Sequence, residues 1–386
     1  MAVPIAAQTT TVQAPAWLNW RAAALLGLIT STWSTVAVSL GAARVGRVIE
    51  VDWMIVGAVL LHEVGIVAEP GWRELAAGIL VHQSADFFWA VVFFGLLGRW
   101  TGRLGPWAIL ALAVPWALLT SSIEYFLWLP WLQPLFVMQN PYWPGLGVHV
   151  ISASLYPIFP WLRDRLVGRA SPHGGFTRVW ASLAVLGLVL LAVLGWLGQR
   201  DREIPLLALL DGQPAVDQRF LRLMTFHHAM GVELAREAAA RADDPELRRL
   251  ASLMIADQSG EMDIMGQWWR SWIAPEVPPL SPEEHAAMPG MPAAEELAAL
   301  EAARGSGFDA LFLPVMSRHH AGAIAMANDA LAGAVDLRVW LLAQSVRHAQ
   351  RNQIAMMRRL AAGRSLEEPM APGETPASED EPAAQG

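Results

Sequence analysis

The chain has 386 residues, carries a net charge of −8 and contains no cysteine. The lack of cysteine excludes disulfides and thiolate metal sites. The acidic balance argues against a nucleic-acid partner, which would require clustered positive charge. Residues 1–200 are apolar and hold 15 of the 19 tryptophans, whereas most carboxylates lie in residues 201–386. We therefore expect an N-terminal region in a lipid bilayer and a C-terminal region in water.

Five stretches of the first region are apolar over the roughly 20 residues that a helix needs to cross a bilayer. Tryptophan or tyrosine lies near their ends, as interfacial belts require. They are residues 22–40, 75–97, 104–128, 142–162 and 179–197, within a transmembrane domain of residues 22–198 that follows an N-terminal tail of residues 1–21. A further apolar stretch, residues 53–68, is short and contains His62 and Glu63. It is either a sixth span or a helix on the outer surface.

Arginines in the short loops orient this domain. Arg99 and Arg103 follow the second long span, and Arg163, Arg165 and Arg169 follow the fourth. The positive-inside rule assigns these loops to the cytoplasm. With five spans or with six, the chain after about residue 198 is then expected to be extracytoplasmic.

Four ionisable side chains fall within the predicted spans: His82, Asp86, Glu124 and His149. Such groups are costly inside a bilayer, so each is a functional candidate. His82 and Asp86 are one helical turn apart and share a face. The four side chains form either a metal-transit or proton-relay cluster or a hydrogen-bonded staple between three helices, and we favour the staple.

The second region repeats itself with a constant offset of 92 residues. Each copy begins with Met-x-x-His-His and continues about thirty residues later with Gln-x-x-(Glu/Gln)-x-x-x-Met. The copies are Met224, His227, His228, Gln258, Glu261 and Met265, and then Met316, His319, His320, Gln350, Gln353 and Met357. A constant offset without gaps indicates a duplicated helical hairpin.

We predict four helices, at about residues 217–242, 245–273, 308–332 and 336–362. Short connections within each hairpin favour an up-down bundle of residues 217–362. A linker of residues 199–216 precedes it, and a tail of residues 363–386, with little to bury, is expected to be disordered. The predicted fold is therefore all-α, with a polytopic transmembrane domain of five or six spans followed by a four-helix bundle of two duplicated hairpins.

The strings FLRLMTFHHAMGVELA, LASLMIADQSGEMDIM and FDALFLPVMSRHHAGAIAMA resemble the domain of unknown function 305 family over about residues 215–362. This resemblance implies a ferritin-like four-helix bundle. Since some members are periplasmic copper-binding proteins, it also implies a similar role here. The second copy departs from the first because Gln353 stands opposite Glu261 and because it carries an additional His348.

Thioether and imidazole donors favour Cu(I) or Ag(I) over Mg or Ca, which prefer oxygen. The six candidate ligands are Met224, His227, His228, Met316, His319 and His320. Additional or supporting candidates are Gln258, Glu261, Met262, Met265, Met326, His348, Gln350 and Met357. Adjacent histidines point about 100° apart on a helix. One of each pair is therefore expected to ligate, and the other to hydrogen-bond Glu261 or Gln350. The competing interpretation is that methionine fills the core and histidine is an internal hydrogen-bonding group.

The leading hypothesis is a membrane-anchored, extracytoplasmic protein that sequesters a soft metal ion or hands it on, with the bilayer and the ion as its partners. His285, Met288 and Met291 form a possible mobile second ligand set. We do not expect an enzyme, because a di-iron bundle needs carboxylates from several helices and only Glu261 is suitably placed. The alternatives are a transporter with the bundle as its sensor, and an interaction module that binds no metal. The oligomeric state and any protein partner stay open.

Overall fold

The structure, a computed structural model, describes residues 16–203 and 215–369. These residues form helices and short connections, with no β-strand among them. The predicted all-α fold is confirmed. The predicted N-terminal tail as far as residue 15, most of the linker and the acidic tail from residue 370 lie outside the described residues.

Ten helices make up the N-terminal half, residues 16–203. They are α1 (Ala16–Ala42), α2 (Ile49–Leu61), α3 (Trp72–Val91), α4 (Gly98–Thr101), α5 (Pro106–Ile123), α6 (Leu129–Leu132), α7 (Pro134–Gln139), α8 (Tyr142–Ala153), α9 (Phe159–Leu166) and α10 (Gly174–Gly198). Several combine into five helices that are long and apolar enough to cross a bilayer: Ala16–Ala42, Trp72–Leu96, Pro106–Leu132, Tyr142–Leu166 and Gly174–Gly198. Almost all of α10 faces outward, and Val179, Leu186 and Leu190 are more than half exposed. Such an apolar surface is suited to lipid and unsuited to water.

The stretch predicted as either a sixth span or a surface helix forms α2, which has only 13 residues. This is too short to cross a bilayer. Val48, just before α2, and Ile66, just after it, both pack into the core of the C-terminal region. Glu63 pairs with Arg249 of that region at 2.9 Å. Helix α2 therefore lies against the C-terminal region at both of its ends.

The C-terminal region, residues 215–369, is called the bundle below. Its helices are α11 (Ala215–Arg241), α12 (Pro245–Trp272), α13 (Pro282–Ala286), α14 (Ala294–Ala302), α15 (Ser306–Gly333) and α16 (Leu337–Ala361). Helices α11 and α12 form one hairpin and α15 and α16 the other, and the hairpins meet through α11 with α15 and α12 with α16. Helices α12 and α16 begin 92 residues apart, at Pro245 and Leu337, which is the offset of the sequence repeat.

The two hairpins cap each other in the same way. Asp217 at the start of α11 accepts hydrogen bonds from the backbone N–H groups of Val335 and Asp336, both at 2.9 Å. Asp309, 92 residues later, accepts the matching bonds from Asp243 and Asp244 at 3.0 and 2.9 Å. Because each carboxylate satisfies N–H groups at the start of a helix in the other hairpin, the duplication extends to the joints of the bundle.

The bundle rests on one end of the N-terminal half. The turn between α1 and α2 inserts between α12 and α16. Gly46 has a φ of 76°, and an added Cβ there would lie 2.8 Å from Cβ of Leu342. Val48 presses so closely on Gly260 that no side chain fits at that position. The loops that carry Arg99 and Arg163 lie at the opposite end, where Arg163 donates to the carbonyl of Gly102.

Candidate metal centre

The four repeated histidines meet in the interior of the bundle. His227 and His228 extend from α11, and His319 and His320 from α15, and each is at most 1% exposed. In both pairs the ring centroids are 6.4 Å apart and the rings are inclined by 61°. This identical geometry shows that the sequence repeat is also a structural repeat at the histidines.

One histidine of each pair lies at the contact between α11 and α15. His227 and His319 stack with their ring centroids 3.9 Å apart and their planes 12° from parallel. Gly231 permits this arrangement, since a Cβ there would collide with the Gln258 amide and lie 3.1 Å from Nε2 of His319. His227 donates from Nε2 to the carbonyl of Pro289 at 3.1 Å.

The other histidine of each pair turns toward its own hairpin partner. His228 Nε2 lies 2.7 Å from a carboxylate oxygen of Glu261, and His320 Nε2 lies 2.7 Å from Oε1 of Gln353. The predicted contact with Glu261 is therefore present, but the predicted contact with Gln350 was wrong. In both hairpins the contact joins residues that are 33 positions apart in the sequence. Gln353 lies 92 residues after Glu261 and is therefore its counterpart in the repeat. Gln350 lies almost one turn earlier.

The hydrogen bonds determine which ring nitrogen carries the proton in two of the histidines. A carbonyl oxygen can only accept, so Nε2 of His227 must be protonated to reach Pro289. Gln353 donates its Nε2 to Asp257 at 3.2 Å, which leaves its Oε1 as an acceptor for Nε2 of His320. In a neutral imidazole the second nitrogen is then an unprotonated acceptor. Nδ1 of both rings therefore carries a free lone pair.

Burial keeps these rings neutral. It lowers the pKa of His227, His228 and His320 to about 3 in each case. Burial, together with the neighbouring His227, also lowers the pKa of His319. Among the described residues, Nδ1 of all four rings has no hydrogen-bond partner. Four buried nitrogen atoms without a partner are costly for a core that serves packing alone.

The predicted sulfur donors surround this cluster. Met224, Met316, Met265 and Met357 are at most 1% exposed. Ser317 lies 3.6 Å from the sulfur of Met357. Met326 is also buried, whereas Met262 is half-buried at the edge of the core. The thioethers contribute to two apolar clusters of the bundle that lie on either side of the histidines.

The remaining supporting candidates fall into two groups, those without a hydrogen-bond partner and those with one. Gln258 and Gln350 are buried, and neither amide has a partner among the described residues. His348 instead pairs with Asn352 on its own helix at 3.1 Å, and this contact does not connect it to the other histidines. Met288 is buried and Met291 half-buried in the segment whose Pro289 carbonyl contacts His227.

Within residues 16–203 and 215–369, no group of three or more histidine, aspartate or glutamate side chains is arranged to hold a metal ion. A soft ion has a different donor set, of imidazole nitrogen and thioether sulfur. The free Nδ1 atoms and the buried methionines fit that set.

Polar chains that the sequence did not predict connect the inner histidines to the N-terminal half. Gln139 at the end of α7 donates to Asp257 at 2.7 Å. Asp257 also accepts from Gln353, which holds His320. Burial raises the pKa of Asp257 and of Glu261 to about 8. The repeat contained a signal for these residues, because the two copies differ at both positions. Ala349 occupies the position of Asp257 in the second copy, and Gln353 occupies that of Glu261.

Arg47, in the turn before α2, is the cation nearest to these acids. It binds Asp52 through two hydrogen bonds at 2.9 and 2.5 Å and also donates to Asn140. Its positive charge acts on both Asp257 and Glu261. No pattern in the sequence predicts this role, because nothing in the spacing relates a turn near residue 47 to a helix near residue 260.

The four ionisable side chains within the apolar helices form two pairs. His82 Nε2 lies 2.9 Å from Ser34 and 3.5 Å from Asp86. His149 lies 2.9 Å from Thr120 and 3.2 Å from Glu124, and Glu124 also accepts from Trp89. These bonds join α1 to α3 and α3 to α5 and α8, as a polar staple would. Both pairs also line one cavity of about 360 Å³.

Comparisons with known proteins agree with this division of the chain. Residues 217–361 match the family model described as "Domain of unknown function (DUF305)". The bundle is a DUF305 domain. A similar solved structure is a DUF305 protein from Streptomyces coelicolor, described as secreted. It has 26% sequence identity and a TM-score of 0.36, and the match covers 44% of this chain and 100% of that one. No curated protein matches the chain. The DUF305 match confirms the family resemblance and leaves the N-terminal half without a recognised relative.

Proposed function

We propose that this protein is a membrane-anchored, extracytoplasmic metal-handling protein whose DUF305 domain binds a soft ion such as Cu(I) or Ag(I). The observation that carries the proposal is the set of buried, unpaired Nδ1 atoms on the repeated histidines. Imidazole nitrogen and thioether sulfur suit Cu(I). The ion would be cargo, held for sequestration or for transfer to another molecule.

Two roles follow for the histidines. In His227, His228 and His320, Nδ1 is the donor toward the ion, while Nε2 is bound to Pro289, Glu261 and Gln353, respectively. Neither ring nitrogen of His319 has a partner among the described residues. A hydrogen bond on the second ring nitrogen orients a metal-binding histidine and increases its basicity. Met224 and Met316 precede the histidines by about one turn on their own helices, which puts one thioether beside each pair.

Silver binding by the full chain tests this function. Ag(I) has the donor preference of Cu(I) and avoids its oxidation. The full chain is needed because Val51, Met54 and Leu135 of the N-terminal half complete the core of the bundle. A variant with His227, His228, His319 and His320 replaced by Ala should bind at least about 100-fold more weakly, as loss of several ligands implies.

His348→Ala is the matched control, since this histidine is also largely buried but contacts Asn352. It should retain the affinity of the wild type. The proposal is wrong if the quadruple variant, folded by circular dichroism, binds Ag(I) as tightly as the wild type does.

Location is the second part of the proposal. The bundle and the loops that carry Arg99, Arg103 and Arg163 lie at opposite ends of the apolar helices, and positive loops favour the cytoplasm. Because the chain contains no cysteine, single cysteines report this orientation directly. In intact cells a membrane-impermeant maleimide should label Glu295→Cys and leave Ala170→Cys unlabelled. The opposite pattern would reverse the assignment.

One observation supports a second candidate function, a transporter with the DUF305 domain as its sensor. The 360 Å³ cavity lies among apolar helices and is lined by His82, Asp86, Glu124 and His149, and ionisable groups in such places often mark ion pathways. Gly147 lines the cavity with open space in front of its missing side chain. Gly147→Leu should therefore block transport without harming the fold. Gly187→Leu on α10 is the control and should leave transport unchanged. Equal transport by both variants would exclude this function.

A further inference from the structure

An open groove of about 500 Å³ lies on the surface of the DUF305 domain. It is bordered by α11, by α15 and by residues 275–304, which join the two hairpins and are called the strap below. Two methionines line it, Met288 of the strap and Met326 of α15. They are 5% and 8% exposed, so each belongs mostly to the interior and reaches the groove at its edge. Thioethers are donors that a soft ion prefers.

The groove adjoins the histidine cluster at two points. Met288 is followed by Pro289, whose carbonyl accepts the hydrogen bond from His227. Met326 packs in the same apolar cluster as Met224, which precedes the first histidine pair. Helices α12 and α16 contact the N-terminal half, whereas the groove and the strap lie on the other side of the bundle, at α11 and α15. An ion that enters at the groove therefore reaches the histidines without passing the N-terminal half.

Ion pairs anchor the strap on either side of Pro289. Arg222 of α11 binds the carboxylate of Glu284 through two hydrogen bonds, at 2.8 and 2.9 Å, and also donates to two backbone carbonyls of the strap. Arg318 of α15 pairs with Glu296 at 2.5 Å. The carboxylate of Glu284 borders the groove, but its bond with Arg222 makes it an anchor and not a ligand. Both ion pairs are partly exposed, and such pairs contribute little stability. The strap can therefore open while the four long helices stay folded.

Between these anchors the strap lies directly on the backbone of α15. A side chain on Gly322 would collide with the carbonyl of Pro289, and one on Gly290 would collide with the backbone of α15. Gly290 also has a φ of 75°, which glycine adopts without strain. This close fit holds the Pro289 carbonyl over the contact between α11 and α15, where His227 and His319 stack.

The internal repeat is broken at the residues that hold the strap. Each of them differs from its counterpart 92 residues away: Arg222 from Pro314, Arg318 from Phe226 and Gly322 from Met230. The histidines between them are the same in both copies. The duplicated hairpin therefore does not need these three residues for its own fold, and what they share is contact with the strap.

From the groove, its two methionines and the fit of the strap, we infer that the groove is the entry site of the soft ion and that the strap is the lid between this site and the histidines. The inference rests on the proposed function, because it describes the route to the same histidines. The ion binds first to the thioethers of Met288 and Met326. Separation of the Pro289 carbonyl from His227 then admits it to the histidine cluster. Met288 links the two steps because it is adjacent to Pro289.

The rate at which the full chain in detergent micelles binds Ag(I) tests the entry site. Stopped-flow mixing with a dye that reports free Ag(I) gives the association rate, and competition with a chelator gives the affinity. Met288→Leu with Met326→Leu should slow association about 10-fold, within the range over which association rates vary among variants of one site. The affinity should stay that of the wild type, because dissociation through the same groove slows equally.

Met291→Leu is the matched control, since this methionine belongs to the strap but does not line the groove. It should bind at the wild-type rate. Release of the lid should have the opposite effect. Arg222→Gln should speed association and dissociation by about 2–5-fold, as the loss of one exposed ion pair implies. Arg270→Gln, which breaks the ion pair with Asp201 away from the strap, should leave both rates unchanged.

The outcomes separate this inference from the proposed function. If the wild type binds Ag(I) and the Met288/Met326 variant associates equally fast, the entry site is wrong and the function stands. If this variant loses affinity by the same factor as association rate, both methionines belong to the final site and the inference is wrong. If the wild type binds no Ag(I), the function and the inference are both wrong. Melting temperatures check that the variants fold, as exchange of methionine for leucine usually permits.

Discussion

The two hairpins of the DUF305 domain are alike where they face each other and differ where they face the rest of the chain. Both keep the capping aspartate, the two histidines, the glutamine and the methionine at an offset of 92 residues. They differ at Asp257 against Ala349, at Glu261 against Gln353 and at Gly260 against Asn352. All three differences lie on α12 beside Arg47, Val48 or Gln139. The shared residues thus form the caps and the histidine cluster, and these three unshared positions lie beside the N-terminal half.

The largest expected effect is a change in the free energy of unfolding at acidic pH, to which the histidines of both hairpins contribute. Burial lowers the pKa of His227, His228 and His320 to about 3. The unfolded chain takes up protons below about pH 6.5, whereas the folded chain takes them up only near pH 3. Their neutral state therefore stabilises the fold above pH 6.5, and this stability is lost as the pH falls toward 3. From pH 7 to pH 5 the histidines alone lower the free energy of unfolding by several kcal/mol, and their effect is seen without the opposing titration of the two buried acids in Asp257→Ala with Glu261→Gln.

Denaturant unfolding of the full chain at both pH values measures this drop. His228→Phe together with His320→Phe, one replacement in each hairpin, should make the profile shallower. A flat profile between pH 7 and pH 5 in the variant that lacks the two acids, Asp257→Ala with Glu261→Gln, would contradict the buried, neutral histidines.

The next effect belongs to the first hairpin alone and appears above neutral pH. Burial raises the pKa of Asp257 and Glu261 to about 8. In the absence of metal ions, the protonated acids stabilise the fold most at low pH, and this contribution is lost as the pH rises through 8. Between pH 7.5, where the histidines are largely neutral in both the folded and the unfolded chain, and pH 9.5, stability should fall by about 1–3 kcal/mol.

Unfolding curves in chelator test this second slope. Asp257→Ala with Glu261→Gln gives the first hairpin the residues of the second, and should level the profile above pH 7.5. If this variant keeps the wild-type slope, the two acids are not its source.

The affinity for Ag(I) shows whether the histidines of the two hairpins contribute equally to binding. His228→Ala and His320→Ala each remove one imidazole and should each weaken Ag(I) binding about 10–100-fold. The two losses should be similar, because both rings present an unpaired Nδ1. A loss confined to one variant, measured by competition with a chelator, would show that only one hairpin binds the ion.

The smallest effect concerns the reciprocal caps. Asp217→Ala and Asp309→Ala each remove an acceptor for two backbone N–H groups, at a cost of about 1–2 kcal/mol in unfolding free energy. Asp217 is only 2% exposed, so its replacement should cost more than that of Asp309. Equal costs near zero would show that the hairpins do not depend on each other for their helix ends.

Sequence patterns predicted the features that depend on a repeat or on a regular spacing of residues. The long apolar helices, the four helices of the bundle and the histidine motif all follow from spacing. The role of the short α2 could not be predicted from spacing, because the length of its apolar stretch did not distinguish a span from a surface helix. The helix has 13 residues. Gln353 was missed as the partner of His320 because Gln350 looked equally close along the helix. Arg47 and Gln139 were missed because their contacts with the bundle join segments more than 100 residues apart.

The most direct measurement of the central claim is X-ray absorption at the copper edge of the full chain loaded with Cu(I). We expect a first shell of nitrogen and sulfur neighbours, with the sulfur contribution reduced in Met224→Leu with Met316→Leu and the nitrogen contribution reduced in His227→Ala with His319→Ala. A shell of oxygen neighbours alone, or a spectrum unchanged in both variants, would contradict ion binding at the repeated histidines and methionines.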